Sequence, residues 1–90
     1  MTADINATAT AIEAFVQHYI AAGVAPKEVQ VRPSGDDVDV IKIWIDLGAH
    51  AKVDVEAWGH DLKIAIQQNI ADAAAFELAV RVEAEPKPKA

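Results

Sequence analysis

Apolar and polar residues recur along this chain with two different periods. Over residues 1–23 the apolar side chains return every three or four positions, which predicts an amphipathic helix; they are Ile5, Ile12, Phe15, Val16, Tyr19 and Ile20. The helix can begin at Asp4 or at Thr10, because Thr10 and Glu13 have the spacing of a capping box. Gly23 suits a left-handed C-cap, and Pro26 prevents the helix from continuing.

After Pro26 the period falls to two, which is typical of strands with one buried face. Strands are predicted at 28–32, 38–47 and 51–58, with a turn at PSGD, residues 33–36. In the longest of them one face is aliphatic and the other is mixed. The aliphatic face holds Ile41, Ile43, Ile45 and Leu47, and the mixed face holds Val38, Val40, Lys42, Trp44 and Asp46.

The register of these strands can be predicted by keeping apolar faces together. A three-residue loop at 48–50 pairs Ile45 with Val53 and Ile43 with Val55, and it sets Val40 beside Trp58 on the mixed face. A two-residue turn at Gly59-His60 would then lead into a further strand from Leu62. Lys42, Glu56 and Lys63 would form a ladder of alternating charge across three strands. The alternative is that His60-Asp61 opens a helix.

The C-terminal third is ambiguous. Asn69 can cap a helix whose apolar stripe includes Ile70, Leu78 and Val82. FELAVRVE also alternates, which leaves open a final strand at 76–84 preceded by a helix over 61–74. The predicted fold is therefore α+β, with an N-terminal helix, an antiparallel meander of three to four strands and a C-terminal helix. The alternative is helix-β-β-β-helix-β. In either case residues 1–84 form one small domain, followed by a disordered Pro/Lys tail at 85–90.

Two loose resemblances follow from these patterns. The alternative topology resembles the bacterial alkaline-shock-protein family through EVQVRPSGDDVDVIKIWIDLG, IQQNIADA and FELAVRVE, and that family implies a stress-linked, self-associating protein near the cell envelope. The chain departs from it by an inserted strand, AKVDVEAW, and a shortened join between helix and strand. The favoured topology is similar to double-stranded-RNA-binding domains, whose second helix opens with several lysines, where only Lys63 stands here. Neither resemblance includes a specific motif, so no family is assigned.

Composition narrows the range of functions. The chain has 90 residues, a formal net charge of −6 and no cysteine. The absence of thiols excludes disulfides and zinc–thiolate sites, and the acidity argues against direct nucleic-acid binding, which relies on clustered Lys and Arg. No signal peptide is visible, and no apolar stretch reaches the roughly 18 residues of a membrane span. We therefore expect a soluble protein, cytoplasmic or part of an assembled particle.

Few residues suggest a catalytic or metal-binding role. His18 lies at the edge of the first helix, and His50 and His60 stand at opposite ends of a predicted strand, so no catalytic residue, metal site or cofactor is predicted. Asp36, Asp37 and Asp39 lack the spacing of a calcium-binding loop.

The two tryptophans are more informative, because the register above gathers Trp44, Trp58, Val38 and Val40 on one sheet face. Tryptophan is enriched in the energetically important parts of interfaces. The sequence therefore predicts a non-enzymatic interaction or assembly module that self-associates or docks on a protein partner through this face. The alternative function is an acidic inhibitor that occupies a basic, nucleic-acid-binding site of another protein.

Overall fold

Two α-helices cover one face of a three-stranded mixed sheet. The computed structural model describes residues 4–21, 23–35, 39–48 and 54–84. In chain order the elements are α1 (Ile5–Gln17), β1 (Glu28–Pro33), β2 (Val40–Asp46), α2 (Val55–Asn69) and β3 (Glu77–Glu83), and a short 3-10 helix at Ala71–Ala75 joins α2 to β3.

The first helix confirms the prediction from the apolar period. Its N-cap is Asp4, whose side chain accepts a hydrogen bond from the backbone N–H of Asn6, so the helix begins at the earlier of the two candidate positions. It ends sooner than predicted, with His18 as its C-cap. Gly23 has the left-handed backbone predicted for it, with φ of 73°, but it lies in the connection to β1.

The sheet is ordered β1-β2-β3, with β2 in the centre. β1 runs antiparallel to β2 and pairs Val31 with Ile43, whereas β3 runs parallel to β2 and pairs Ile43 with Val80. Alternation along β2 is strict, because Ile41, Ile43 and Ile45 are buried against the helices.

The predicted antiparallel meander is correct only in part: β1 and β2 pair antiparallel, but β3 pairs parallel with β2. Residues 55–58, predicted as a strand, and Gly59-His60, predicted as a turn, all lie in α2. Asp54 caps this helix by accepting hydrogen bonds from the N–H groups of Glu56 and Ala57. The helix buries Trp58, Leu62 and Ile66 at helical spacing, so a four-residue period prevails over the local alternation. The predicted pairs of Ile43 with Val55 and of Val40 with Trp58 do not form, and neither does the charge ladder through Glu56 and Lys63, because these residues lie in α2.

The C-terminal end follows the alternative prediction. β3 occupies residues that were assigned either to a C-terminal helix or to a final strand at 76–84. A parallel neighbour of β2 requires a long crossover connection, and α2 provides it. The fold is thus α+β with the element order helix, strand, strand, helix, strand.

The hydrophobic core lies between the two helices and the inner face of the sheet. Its largest fully buried side chains are aliphatic, and they come from both helices, from β2 and from the residue that follows it: Ile12, Val16, Ile41, Ile43, Ile45, Leu47, Leu62 and Ile66. Both helices therefore depend on the same apolar layer.

The two helix–strand units of the fold resemble each other in sequence. Aligning the capping residues Asp4 and Asp54 places the buried residues of α1 (Thr8, Ala9, Ile12, Val16) on those of α2 (Trp58, Gly59, Leu62, Ile66). The strands that follow share the pattern Glu-x-x-Val-Arg, at 28–32 in β1 and at 77–81 in β3. Val31 and Val80 occupy the same place in this pattern and lie on either side of Ile43. Because β1 and β3 run in opposite directions, these two strands are related by an approximate two-fold axis near Ile43.

Some predictions concern residues outside the described part of the chain. These residues are Val38, Asp36 and Asp37, His50, the segment 51–53 and the tail 85–90.

Candidate interaction surface

The face of the sheet turned away from both helices is the surface on which the predicted site falls. We call it the outer face; it consists of Glu28, Gln30 and Arg32 of β1, Val40, Lys42, Trp44 and Asp46 of β2, and Glu77, Ala79, Arg81 and Glu83 of β3. Side chains alternate between the two faces of a strand, so these positions follow from the buried positions of the inner face.

Charges on the outer face are sorted into rows that cross the three strands. At one end Glu28, Asp46 and Glu83 are direct neighbours and form an acidic row. Four residues away along β2, on the far side of Trp44, Lys42 has Arg32 as its neighbour. These two residues form a basic row, whose third position, on β3, is occupied by Ala79. Like charges that face each other across strands repel, and in the acidic row the charge of Glu83 is partly offset by its ion pair with Arg81.

Trp44 lies between the two rows, flanked by Gln30 and Arg81. Its indole is half-buried, and Nε1 donates a hydrogen bond to Oε2 of Glu83 at 3.2 Å. The guanidinium of Arg81 lies 2.9 Å from Oε1 of the same carboxylate. Glu83 therefore orients both an aromatic ring and a cation on this surface.

A shallow cavity of about 360 Å³ opens at the basic end of the outer face. Its lining combines two cations, an indole and a turn: Gln30, Arg32, Pro33, Gly35, Lys42 and Trp44. A negatively charged side chain placed there would meet Arg32 and Lys42 with the indole beside it.

The structure separates Trp58 from Trp44 and Val40, the three residues of the predicted interface that it describes. Trp44 and Val40 lie on the outer face, as the strand period indicated. Trp58 does not, because it belongs to α2 and is only 3% exposed. Its Nε1 donates to the carbonyl oxygen of Val24 at 3.3 Å, and its ring packs edge-on against Tyr19 at 5.2 Å. Val38 lies outside the described residues, so the surface rests on Trp44 and its charged neighbours.

The third member of the acidic row, Glu83, and the cation beside Trp44 cannot be placed from the sequence without the correct partner for β2. Once β3 replaces the segment 51–58, Arg81 and Glu83 move beside Trp44. The signal that could have indicated this is the shared Glu-x-x-Val-Arg pattern, which marks β1 and β3 as equivalent edge strands.

The two histidines that the structure describes lie on the surface of the molecule. His18 is exposed at the end of α1, and His60 is exposed on α2. Within residues 4–21, 23–35, 39–48 and 54–84, no three His, Asp or Glu side chains are grouped so as to hold a metal ion.

Tyr19 has a perturbed hydroxyl. Burial raises its pKa above the usual 10.0, and the nearby carboxylate of Asp61 raises it further by repelling the phenolate. Since its ring packs on Trp58, it links the end of α1 to α2.

Neither α-helix of the described chain has the length and the apolar sequence required to cross a bilayer.

Comparison with protein families, with curated proteins and with solved structures found no match. The outer face is therefore the basis for a proposed function.

Proposed function

We propose that this chain is a non-enzymatic protein-interaction and assembly module whose docking surface is the outer face. One observation carries the proposal: an acidic row and a basic row lie on either side of Trp44, on a sheet face that neither helix covers. A partially buried, hydrogen-bonded indole is a suitable anchor, because its orientation is fixed before a partner arrives.

A second copy of the chain fits this pattern. If the copy is turned about the line through Gln30, Trp44 and Arg81, its basic row lies over the acidic row of the first. Glu28 then faces Arg32 of the copy, Asp46 faces Lys42, and the two indoles meet at the centre. Such complementarity determines register and partner choice more than affinity.

The size of the face limits the strength of this contact. Three strands about 4.8 Å apart and about seven residues long cover roughly 350 Å², whereas a standard interface buries about 800 Å² on each partner. We therefore propose that a single outer-face contact is weak and reversible. Several such contacts acting together, in an assembled particle or between copies of the chain in the cytoplasm, would be stable.

A second candidate is an acidic inhibitor of a basic protein. The acidic row of Glu28, Asp46 and Glu83, together with a formal net charge of −6, supports it. This candidate differs from the first because it does not require the basic row or self-association.

The first test is the molar mass of the purified chain by light scattering over a range of concentrations, at low and at high salt. We expect a mass that rises above 9.6 kDa with concentration. We expect Trp44→Ala to shift this rise to higher concentration, because it removes the anchor. Ile20→Ala is the matched control, since Ile20 is 65% exposed and lies away from the outer face.

Charge reversal tests the register of the rows. Arg32→Glu should weaken the outer-face contact, and Glu28→Arg in the same chain should restore it, because the two positions face each other across the proposed axis. The outer-face contact should also weaken as salt rises. A mass that is the same for the wild type and for Trp44→Ala at every concentration would contradict outer-face self-association and favour the acidic inhibitor.

A further inference from the structure

A groove runs along the free edge of β3, the edge that does not pair with β2, and lies between this strand and α2. Its volume is about 520 Å³, and it is lined by residues of both elements: Val55, Glu56, Gly59, His60, Lys63, Leu78, Val80, Arg81 and Val82. Gly59 permits the close packing of α2 on the strand, since a Cβ at this position would lie 3.0 Å from Cγ2 of Val82. The groove is distinct from the outer face, because its apolar floor belongs to the inner face of the sheet.

The backbone beside this groove has unused hydrogen-bonding groups. At the two ends of β3, Glu77 donates to the carbonyl oxygen of Asp39, and Glu83 accepts from the N–H of Leu47. Backbone groups alternate in direction along a strand, so those of Leu78, Val80 and Val82 point away from β2. In the part of the chain that the structure describes, no backbone hydrogen bond reaches these three residues from outside the strand.

The free edge of β1, on the other side of the sheet, is a poorer template for an added strand. The N–H of Ser34 donates to Val40, so in antiparallel alternation the outward positions of β1 are 29, 31 and 33. Position 33 is Pro33, which has no N–H to offer an added strand. β3 contains no proline, and its edge is therefore the better template for strand pairing.

The geometry points to β3 as the pairing edge for a second copy of this chain, joined antiparallel about a two-fold axis at Ala79. In this register the outward groups of Leu78 meet those of Val80 of the copy, which allows at least four new backbone hydrogen bonds. On the outer side, Glu77 lies opposite Arg81 of the copy, and the symmetry makes this pair twice. On the inner side, Leu78 and Val80 extend the apolar floor of the groove.

Charge disfavours the registers in which the axis moves toward the C-terminal end of β3. Moving the axis from Ala79 to Val80 sets Glu77 opposite Glu83 of the copy. Moving it to Arg81 sets the two arginines opposite each other. Both alternatives place like charges in direct contact across the strands, which is destabilising.

The helix above the strand has the same self-complementarity. Glu56 and Lys63 line the groove on either side of Gly59 and His60. Gly59 lies above Val80 and Val82, the two inner-face residues that follow Ala79 along β3. A copy of α2 brought antiparallel across the edge would carry Glu56 and Lys63 in the opposite order, so the charges of the two helices would be complementary. The dimer has a continuous six-stranded sheet with its helices on one side.

This dimer leaves the outer face uncovered and doubles its area, so the edge contact does not depend on the proposed function. It can be tested in the full chain with Trp44→Ala as the background, because that substitution removes the anchor of the outer-face contact. We expect this variant to remain a concentration-dependent dimer in sedimentation equilibrium.

Charge reversal on β3 should then be decisive. Arg81→Glu in this background should raise the dimer dissociation constant about tenfold or more, because two favourable pairs become two repulsive ones. Adding Glu77→Arg should return the constant to within about threefold of the background. Lys27→Glu, which makes the same charge change at an exposed residue outside β3, outside the groove and outside the outer face as defined above, is the matched control and should leave the constant unchanged. Arg81 is 77% exposed, so these variants should fold.

Amide hydrogen exchange gives a second readout. Exchange at Leu78, Val80 and Val82 should slow as the protein concentration increases, whereas exchange at Val29 and Val31 should not change. A monomeric Trp44→Ala variant, a double reversal that fails to restore the dimer, or exchange at β3 that is independent of concentration would overturn the edge contact. None of these results would affect the comparison of wild type with Trp44→Ala that tests the outer face.

Discussion

At the scale of single residues, the two tryptophans show how one residue type takes two roles. Both follow a polar-apolar alternation in the sequence and look equivalent. Trp58 is 3% exposed and is held by Val24 and Tyr19, whereas Trp44 is half-buried on an open sheet face and is held by Glu83. The first stabilises the fold, and the second is available to a partner.

Truncation of Trp58 should therefore reduce the free energy of unfolding more than truncation of Trp44. Trp58→Ala should lower the free energy of unfolding by about 3–5 kcal/mol, because it leaves a cavity in the core. Trp44→Ala should cost no more than about 1–2 kcal/mol, since its ring is largely outside the core. Urea denaturation followed by far-UV circular dichroism measures both values. Equal losses for the two variants would mean that Trp58 does not occupy the core position described above.

At the scale of elements, the sequence predicts those whose apolar pattern is unambiguous. Helix α1 and strands β1 and β2 can be derived locally, because a single period covers each segment. The segment 51–66 cannot, since its apolar residues satisfy a period of two and a period of four together. Tertiary contact decides between them: Leu62 and Ile66 are fully buried only when the segment is helical, whereas Ile64 is then partly exposed.

The same ambiguity explains the missed site. Assigning Trp58 to a strand made it a neighbour of Val40, and it hid the true neighbours of Trp44, which lie in β3. Trp44 itself could be placed on the open face from the alternation of β2 alone. Arg81 and Glu83 could not, because their place beside β2 depends on which distant strand pairs with it.

Asp54 is the local feature that starts the helix at this ambiguous segment. Asp54→Ala should lower the free energy of unfolding by about 1 kcal/mol, because the N–H groups of Glu56 and Ala57 lose their acceptor. Asp54→Asn is the matched control and should be close to the wild type, since asparagine caps helices as well as aspartate does. Thermal unfolding of the three proteins at neutral pH measures the difference, and a loss as large for asparagine as for alanine would contradict a capping role.

At the scale of the whole molecule, two similar helix–strand units share one central strand and one core. Tyr19 of the first unit packs on Trp58 of the second, and so its ionisation is linked to the stability of the complete fold. The pKa of Tyr19 is raised in the folded chain, first by burial and then by Asp61. The folded chain thus holds the hydroxyl proton more tightly than the unfolded chain does.

The sign of the pH effect follows from this shift. The contribution of Tyr19 is fully present below the unfolded pKa of about 10 and is lost as the pH rises through the folded pKa. We expect the free energy of unfolding to fall more steeply above pH 10 in the wild type than in Tyr19→Phe. Urea denaturation at a series of pH values from 8 to 11 measures both curves, and parallel curves would contradict the linkage.

The parallel pairing of β2 with β3 also affects the order in which the strands pair while the chain is being synthesised. β1 and β2 are close in sequence and can pair as soon as both have been synthesised, but β3 is separated from β2 by the whole of α2. Until that last strand arrives, Ile41, Ile43 and Ile45 lack their final neighbours, and one side of β2 is open to strands of other molecules. A ribosome-bound chain at this stage could accept β3 from a finished neighbour, so exchange of this strand between copies is the misassembly to which the topology is most susceptible.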